Sequence, residues 1–267
     1  MTISTHTNYI NFNHLWRYQD IQDLSEQNIL ITGAAKGIGR ALSLACAGRG
    51  ARCFLLDQDT QGLDQLYDAI LERGHPQPVL IPMDLKMYRH DSMQLIADAI
   101  QAEYGFLNGL IHCAAQFHAL TPLHYFQLER FQDVIAVNLI APFLLTQTLL
   151  PLIKHASHAH IIFTTCEIAQ KGKAFWGPFA AAKSGIERIM ESLAEELDHC
   201  PQICVNAIDP GPTRTLLRQA AFPAEDKLLH PEPHEVLGPY LYLLQTSDFE
   251  LSGKIIRRSH ADAPSDI

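Results

Sequence analysis

The stretch NILITGAAKGIG, residues 28 to 39, decides the fold. NILIT (28–32) is a short apolar run that ends at Gly33, and beyond Gly37 the residues Ile38, Leu42 and Ala45 recur at helical spacing. The reading is strand, glycine turn, helix. Glycines at such a turn let the backbone bend tightly and let a pyrophosphate approach the amides at the positive end of the helix. The spacing is GxxxGxG and not GxGxxG, so a glycine-rich turn with no ligand also fits.

The same alternation continues outward. ARCFLLD (51–57) is a second strand, followed by a helix from Thr60 to Arg73 with Leu63, Leu66, Ile70 and Leu71 on one side. Then come strand 78–84, helix 91–105, strand 109–115, a long helix from about Glu129 to His155, and strand 160–166. A helix runs to His199, strand 203–211 follows, and a helix at 234–245 precedes the last strand, 253–258. Seven strands, each apolar on both faces, predict a doubly wound parallel sheet in a Rossmann-like α/β fold, one domain with helices on both sides. Residues 1–23 read as a loose arm, 24–258 as the domain and 259–267 as a tail. Within the domain, 215–234 is the longest irregular stretch, of a length that often covers a site as a lid.

Composition narrows the function. Of the 267 residues 47% are apolar and 18% charged, enough to build a two-sided core. A net charge of −9 argues against a nucleic-acid or anionic-membrane surface and leaves small molecules and protein subunits as partners. The six cysteines form no CxxC pair, which fits reduced thiols in a cytoplasm. No secretory signal is visible, and LIAPFLLTQTLLPLI (139–153), interrupted by two prolines and polar residues, reads as a buried helix. His155, His158 and His160 lack an acid or cysteine cluster beside them and read as a loop, so no metal site is expected.

Asp57 ends the second strand 18 residues after Gly39, where a carboxylate can hold both ribose hydroxyls of NAD and repel the extra phosphate of NADP. The same residue also reads as a solvated strand-end aspartate. Lys36, in the glycine turn, pulls the other way because it could meet a phosphate. NAD is the expected cofactor, ahead of NADP.

With these motifs in order, residues 24 to 256 resemble a classical short-chain dehydrogenase/reductase. TGAAKGIG (32–39) resembles that family's cofactor turn, implying Gly33, Lys36, Gly37, Ile38 and Gly39 as cofactor contacts. MDL (83–85) is similar to its third-strand end, implying that Asp84 and Leu85 meet the adenine, and Ala114 follows the fourth strand. VNLIAPF (137–143) resembles the segment around the active-site asparagine, here Asn138. VNAIDPGPTRT (205–215) resembles the segment that holds the nicotinamide carboxamide, implying Pro210, Gly211, Thr213 and Thr215.

The family's catalytic signature is Tyr, three residues, then Lys, with a Ser thirteen positions before the Tyr. Lys183 fixes the frame, and Phe179 and Cys166 then stand where the tyrosine and serine belong. HCAA (112–115) replaces the usual Asn-Asn-Ala-Gly. The resemblance implies that Lys183 binds the nicotinamide ribose as well as lowering the pKa of the tyrosine, so it retains one task. A lysine that snorkels to water is the plainer reading.

A phenyl ring has no proton to give. General acid catalysis contributes about 10²- to 10⁴-fold, or roughly 3 to 5 kcal/mol of barrier. Three substitutes are open: Cys166 with its pKa lowered by Lys183, His118 as a loop proton donor, or a reaction that needs no strong acid. Cys166 also reads as a small buried hydrophobe, Asn138 as a residue satisfying helix backbone, and His112 as core. The function expected is an NAD(H)-binding oxidoreductase of weak or altered activity on an alcohol or carbonyl, carried by Asn138, Cys166 and Lys183 with Phe179 in the tyrosine's place. The rival is an inactive nucleotide-binding pseudoenzyme. A homodimer or homotetramer through the long helix and the 175–199 helix is implied by the resemblance.

Overall fold

The computed structural model describes residues 9–11, 23–87, 89–246 and 248–257. All seven expected strands form and lie parallel, with shorter bounds: β2 (Asn28–Thr32), β3 (Arg52–Asp57), β4 (Val79–Pro82), β5 (Gly109–His112), β6 (Ala159–Thr164), β7 (Ile203–Asp209) and β8 (Ile255–Arg257). An eighth, β1 (Tyr9–Asn11), lies inside the segment read as an arm and pairs with β8 at the sheet edge. The rest of residues 1–22 and the 259–267 tail lie outside the described residues.

The order is β1-β8-β7-β6-β5-β2-β3-β4. Successive strands move one way from β2 to β4 and the other way from β5 to β8, so a crevice opens between the carboxyl ends of β2 and β5. Helices cover both faces. On one side α3 (His90–Glu103), α5 (Ala141–His155) and α6 (Gly177–Glu196) contribute Met93, Ile100, Leu145, Leu149, Ile186 and Met190 to one core. On the other, α1 (Gly37–Ala47), α2 (Thr60–Leu71) and α8 (Gly238–Gln245) bury Leu42, Leu63, Leu66, Tyr240 and Leu244, while Leu71, expected on the same side of α2, is 40% exposed at the helix end. Truncating a fully buried leucine such as Leu145 to alanine costs about 2 to 5 kcal/mol.

Local chemistry sets the helix ends. Asp59 caps α2 by accepting from the Gly62 amide at 3.0 Å. The start of α1 has no side-chain cap and no acid in its first turn, leaving its amides facing the crevice. The long helix expected from 129 to 155 is α4 (Leu128–Ile135) continued through a π turn, Ala136–Ile140, into α5. By length and composition this helix could pass for a membrane span, yet its apolar side packs in the core. The stretch 215–234, read as irregular, holds a short helix, α7 (Leu216–Ala221), and a 3-10 turn at Lys227–Leu229.

Candidate nucleotide and substrate site

The crevice holds a cavity of about 1140 Å³. Its lining includes the glycine turn, Asp57, Asp84, Leu85, Ala114, Cys166, Phe179, Lys183, and the 209–218 segment. The expected cofactor residues are thus brought together with Cys166, Phe179 and Lys183, whereas Asn138 and His118 lie outside this lining.

The three glycines do different things. A Cβ on Gly39 would lie 2.2 Å from the Gly33 carbonyl oxygen, and one on Gly33 would lie 2.7 Å from the Ala114 Cα. These two glycines are demanded by the close approach of the turn to its own helix and to the β5 loop. Gly37 has φ +55°, in the left-handed region, and a Cβ there would touch the Thr215 methyl at 3.4 Å, so it shapes the mouth at the helix terminus. An uncapped helix start, a wall without Cβ atoms and a long cavity fit the pyrophosphate of a dinucleotide.

Asp57 already has work. Its carboxylate accepts from the Ala35 and Asp59 amides, each at 3.0 Å, and so pins the glycine turn to the end of β3. Lys36 lies 2.6 Å from Asp59, which raises the lysine's pKa and lowers that of the aspartate. The cation in the turn is thus matched by a carboxylate. Asp84 accepts from the Lys86 amide at 2.9 Å beside buried Leu85. At the other end the Gly211 amide donates to Asp209, and Thr213 donates to the Gly211 carbonyl at 3.1 Å. Thr215 caps α7 by accepting from Arg218 N.

Lys183 does not reach solvent. It is 5% exposed, and its Nζ donates to the Thr164 carbonyl at 2.8 Å and stands 5.5 Å from the Phe179 ring centroid. Burial lowers its pKa, while Cys166, Cys113 and Glu187 nearby favour its charge. Glu187, one helical turn on and 1% exposed, accepts from the Thr165 hydroxyl at 2.6 Å.

Phe179 belongs to an aromatic cluster. Its ring meets Phe117 at 5.7 Å, edge on, and Trp176 at 5.9 Å, and Trp176 in turn lies 6.0 Å from Phe222. Such a wall is apolar where the resemblance implies a phenol.

The proposed substitutes for that phenol fare badly. Burial pushes the Cys166 thiol up to about 12, outweighing the neighbouring Lys183, so the expected lowering is reversed. Cys113 is held near 11 for the same reason, with a hydroxyl contact to Thr164 at 3.3 Å. His118 faces a small separate pocket behind Phe179, 3.8 Å from Asp133, and burial lowers its pKa. His112 is core, bonded to Thr146 at 2.9 Å, stacked on Phe163, and depressed to about 3 by burial.

Asn138 lies in the π turn outside the cavity lining, donating to the Gln116 and Val134 carbonyls at 2.8 Å each. The bond to Val134 is the helix-backbone contact of its plainer reading, and the bond to Gln116 adds a tie to the loop after β5. The residues that sequence reasoning missed are Thr165, Glu187, the Asp209–Arg257 pair at 3.1 Å, and the rings of Phe117, Trp176 and Phe222. Only Glu187, four positions after Lys183, carried a helical-spacing signal.

A doubly wound parallel sheet with a glycine turn at its switch point and a buried lysine on the following wall defines a nucleotide-binding oxidoreductase. The chain belongs to the short chain dehydrogenase family, whose model matches residues 27–226. It is 36% identical over 228 residues to the uncharacterized oxidoreductase YciK of Escherichia coli (strain K12), covering 85% of this chain and 90% of that one. A solved structure assigned as a short chain dehydrogenase from Shigella flexneri 2a str. 301, complexed with NADP, superposes with TM-score 0.85 at 33% identity. That match covers 90% of this chain and 98% of the other. A counterpart from Escherichia coli CFT073, complexed with NADPH, gives TM-score 0.84 at 33% identity, covering 89% and 98%.

Proposed function

We propose that this oxidoreductase binds NAD(H) in preference to NADP(H) and acts on a small alcohol or carbonyl at a rate limited by missing acid catalysis. The observation that carries this is Lys183 on the cavity wall against Phe179, with two thiols nearby whose protons are held too tightly to serve at neutral pH. The dinucleotide supplies or accepts the hydride. Lys183 holds its nicotinamide ribose, Gly37 and the start of α1 take its pyrophosphate, and the Pro210–Thr215 segment orients its carboxamide.

The NADP and NADPH complexes of the relatives favour the phosphorylated dinucleotide. In this chain Asp57 and Asp59 stand at the ribose end and Asp59 neutralises Lys36, so a 2′-phosphate would meet carboxylates. Titration with NADH and NADPH decides between them: tighter NADH is expected, and equal or tighter NADPH overturns the preference. Against a carbonyl panel, Phe179→Tyr should raise turnover by about 10²- to 10⁴-fold. If the natural protein already turns over at ordinary rates and Cys166→Ala abolishes this, the thiol is the acid and the reading fails.

The same proton-poor wall favours a second reading, a nucleotide-binding subunit without turnover, for which Phe179→Tyr would bind nucleotide but gain nothing. In either case the 215–234 segment serves as the lid. A homodimer or homotetramer in the cytoplasm is proposed, with Leu128, Phe131 and Phe143 exposed on the long helix and six free thiols in support.

A further inference from the structure

Beyond the nucleotide end, the cavity is walled by Trp176, Phe179 and Phe222, with Phe117 packed behind them at 5.0 Å from Trp176. Apart from Lys183, 5.5 Å from the Phe179 ring and assigned to the nucleotide, the charges around this wall come in matched pairs. Arg218 lies 4.0 Å over the Phe222 ring and donates from Nε to Glu225 at 2.6 Å, and Glu225 also meets His230 at 3.0 Å. Lys173 faces Glu167 at 3.4 Å, and Arg257 faces Asp209 at 3.1 Å. A carboxylate or phosphate entering here would have to displace a protein carboxylate from its cation, whereas an uncharged ring displaces only water. Leu216 and Leu228, largely exposed on the lid, add apolar surface to the same opening.

We infer that the compartment bounded by Trp176, Phe179 and Phe222 is the substrate subsite and takes a neutral, ring-bearing organic molecule, not an anionic one. This rests on the nucleotide occupying the other end of the cavity. The replacement of a phenol by Phe179 then enlarges the apolar contact as well as removing a proton donor. Trp176 and Phe222 grip the ring, and the Arg218–Glu225 pair closes the rim without presenting a net charge.

The chain has two tryptophans, Trp16 and Trp176, so a Trp16→Phe background leaves Trp176 as the reporter. In that background, Trp176 emission is titrated with acetophenone and with 4-acetylbenzoate, the same ring carrying a carboxylate. Acetophenone should quench saturably and bind roughly tenfold tighter than the acid. Phe222→Ala, checked for folding by circular dichroism, should weaken acetophenone roughly five- to tenfold. Glu225→Gln, which frees Arg218, should narrow the gap by strengthening 4-acetylbenzoate. Equal or tighter binding of the acid to the unaltered pair, or indifference to Phe222→Ala, overturns the inference. NADH emission is followed separately in the same samples. Nucleotide binding with no acetophenone binding sinks this inference alone, while acetophenone binding without nucleotide binding supports it and sinks the dinucleotide reading.

Discussion

Replacing Lys183 by methionine separates what the lysine does for the fold from what it does for the ligand. Its ammonium is buried, so holding it there costs several kcal/mol of desolvation, against which the bond to the Thr164 carbonyl returns about 1.5 to 3 kcal/mol. For the empty protein the lysine is therefore close to a net cost. Removing it alone would leave the Glu187 carboxylate, held by Thr165 and 3.9 Å from Arg188, with less positive charge near it. The clean comparison is thus Lys183→Met/Glu187→Gln, which deletes both charges and keeps the shape. Urea unfolding of this double variant should differ from the parent by no more than about 2 kcal/mol. NADH affinity of the single Lys183→Met variant should fall by at least roughly tenfold, equivalent to about 1.4 kcal/mol. A double variant that loses much more stability, or a single variant that binds NADH unchanged, would refute the division of labour.

Two further outcomes follow from buried polar groups. His112 and His160 have their pKa values depressed from 6.5 to about 3 by burial, so both stay neutral in the fold. Their contribution is present above pH 6.5 and is lost as pH falls toward 3. At pH 5 each costs roughly 2 kcal/mol, so urea midpoints should drop between pH 7 and pH 5, and His112→Gln should flatten that drop by about half. An unchanged pH dependence in the variant would contradict the placement of His112. Asn138→Ala removes two bonds to the Gln116 and Val134 carbonyls and should cost roughly 2 to 4 kcal/mol. Hydrogen exchange should quicken across residues 134–142, and no change there would show that the π turn stands without its asparagine.

The sheet and its turn were legible because they depend on local composition. Buried strands read as apolar runs, and Gly33, Gly37 and Gly39 can be explained by backbone geometry alone. The departure at Phe179 was equally plain once Lys183 set the frame. The sign of the Cys166 shift was not: a neighbouring cation is visible in sequence, but the burial that outweighs it is a property of the assembled wall. Phe117, Trp176 and Phe222 come from three separate loops, so no spacing announces their cluster. The same holds for the Asp209–Arg257 pair, joined only when β7 and β8 lie side by side. α7 hid among the prolines and charges of the 215–234 stretch, and a three-residue strand such as β1 has too few positions for any period to appear.

The pairing of β1 with β8 carries a consequence for how the molecule assembles. β1 pairs residue for residue with Ile255–Arg257, so it has no docking partner until the strand that follows every other one in the sheet has been made. Loss of β1 would leave the ladder of β8 unguarded on its outer side, open to another copy of the same strand.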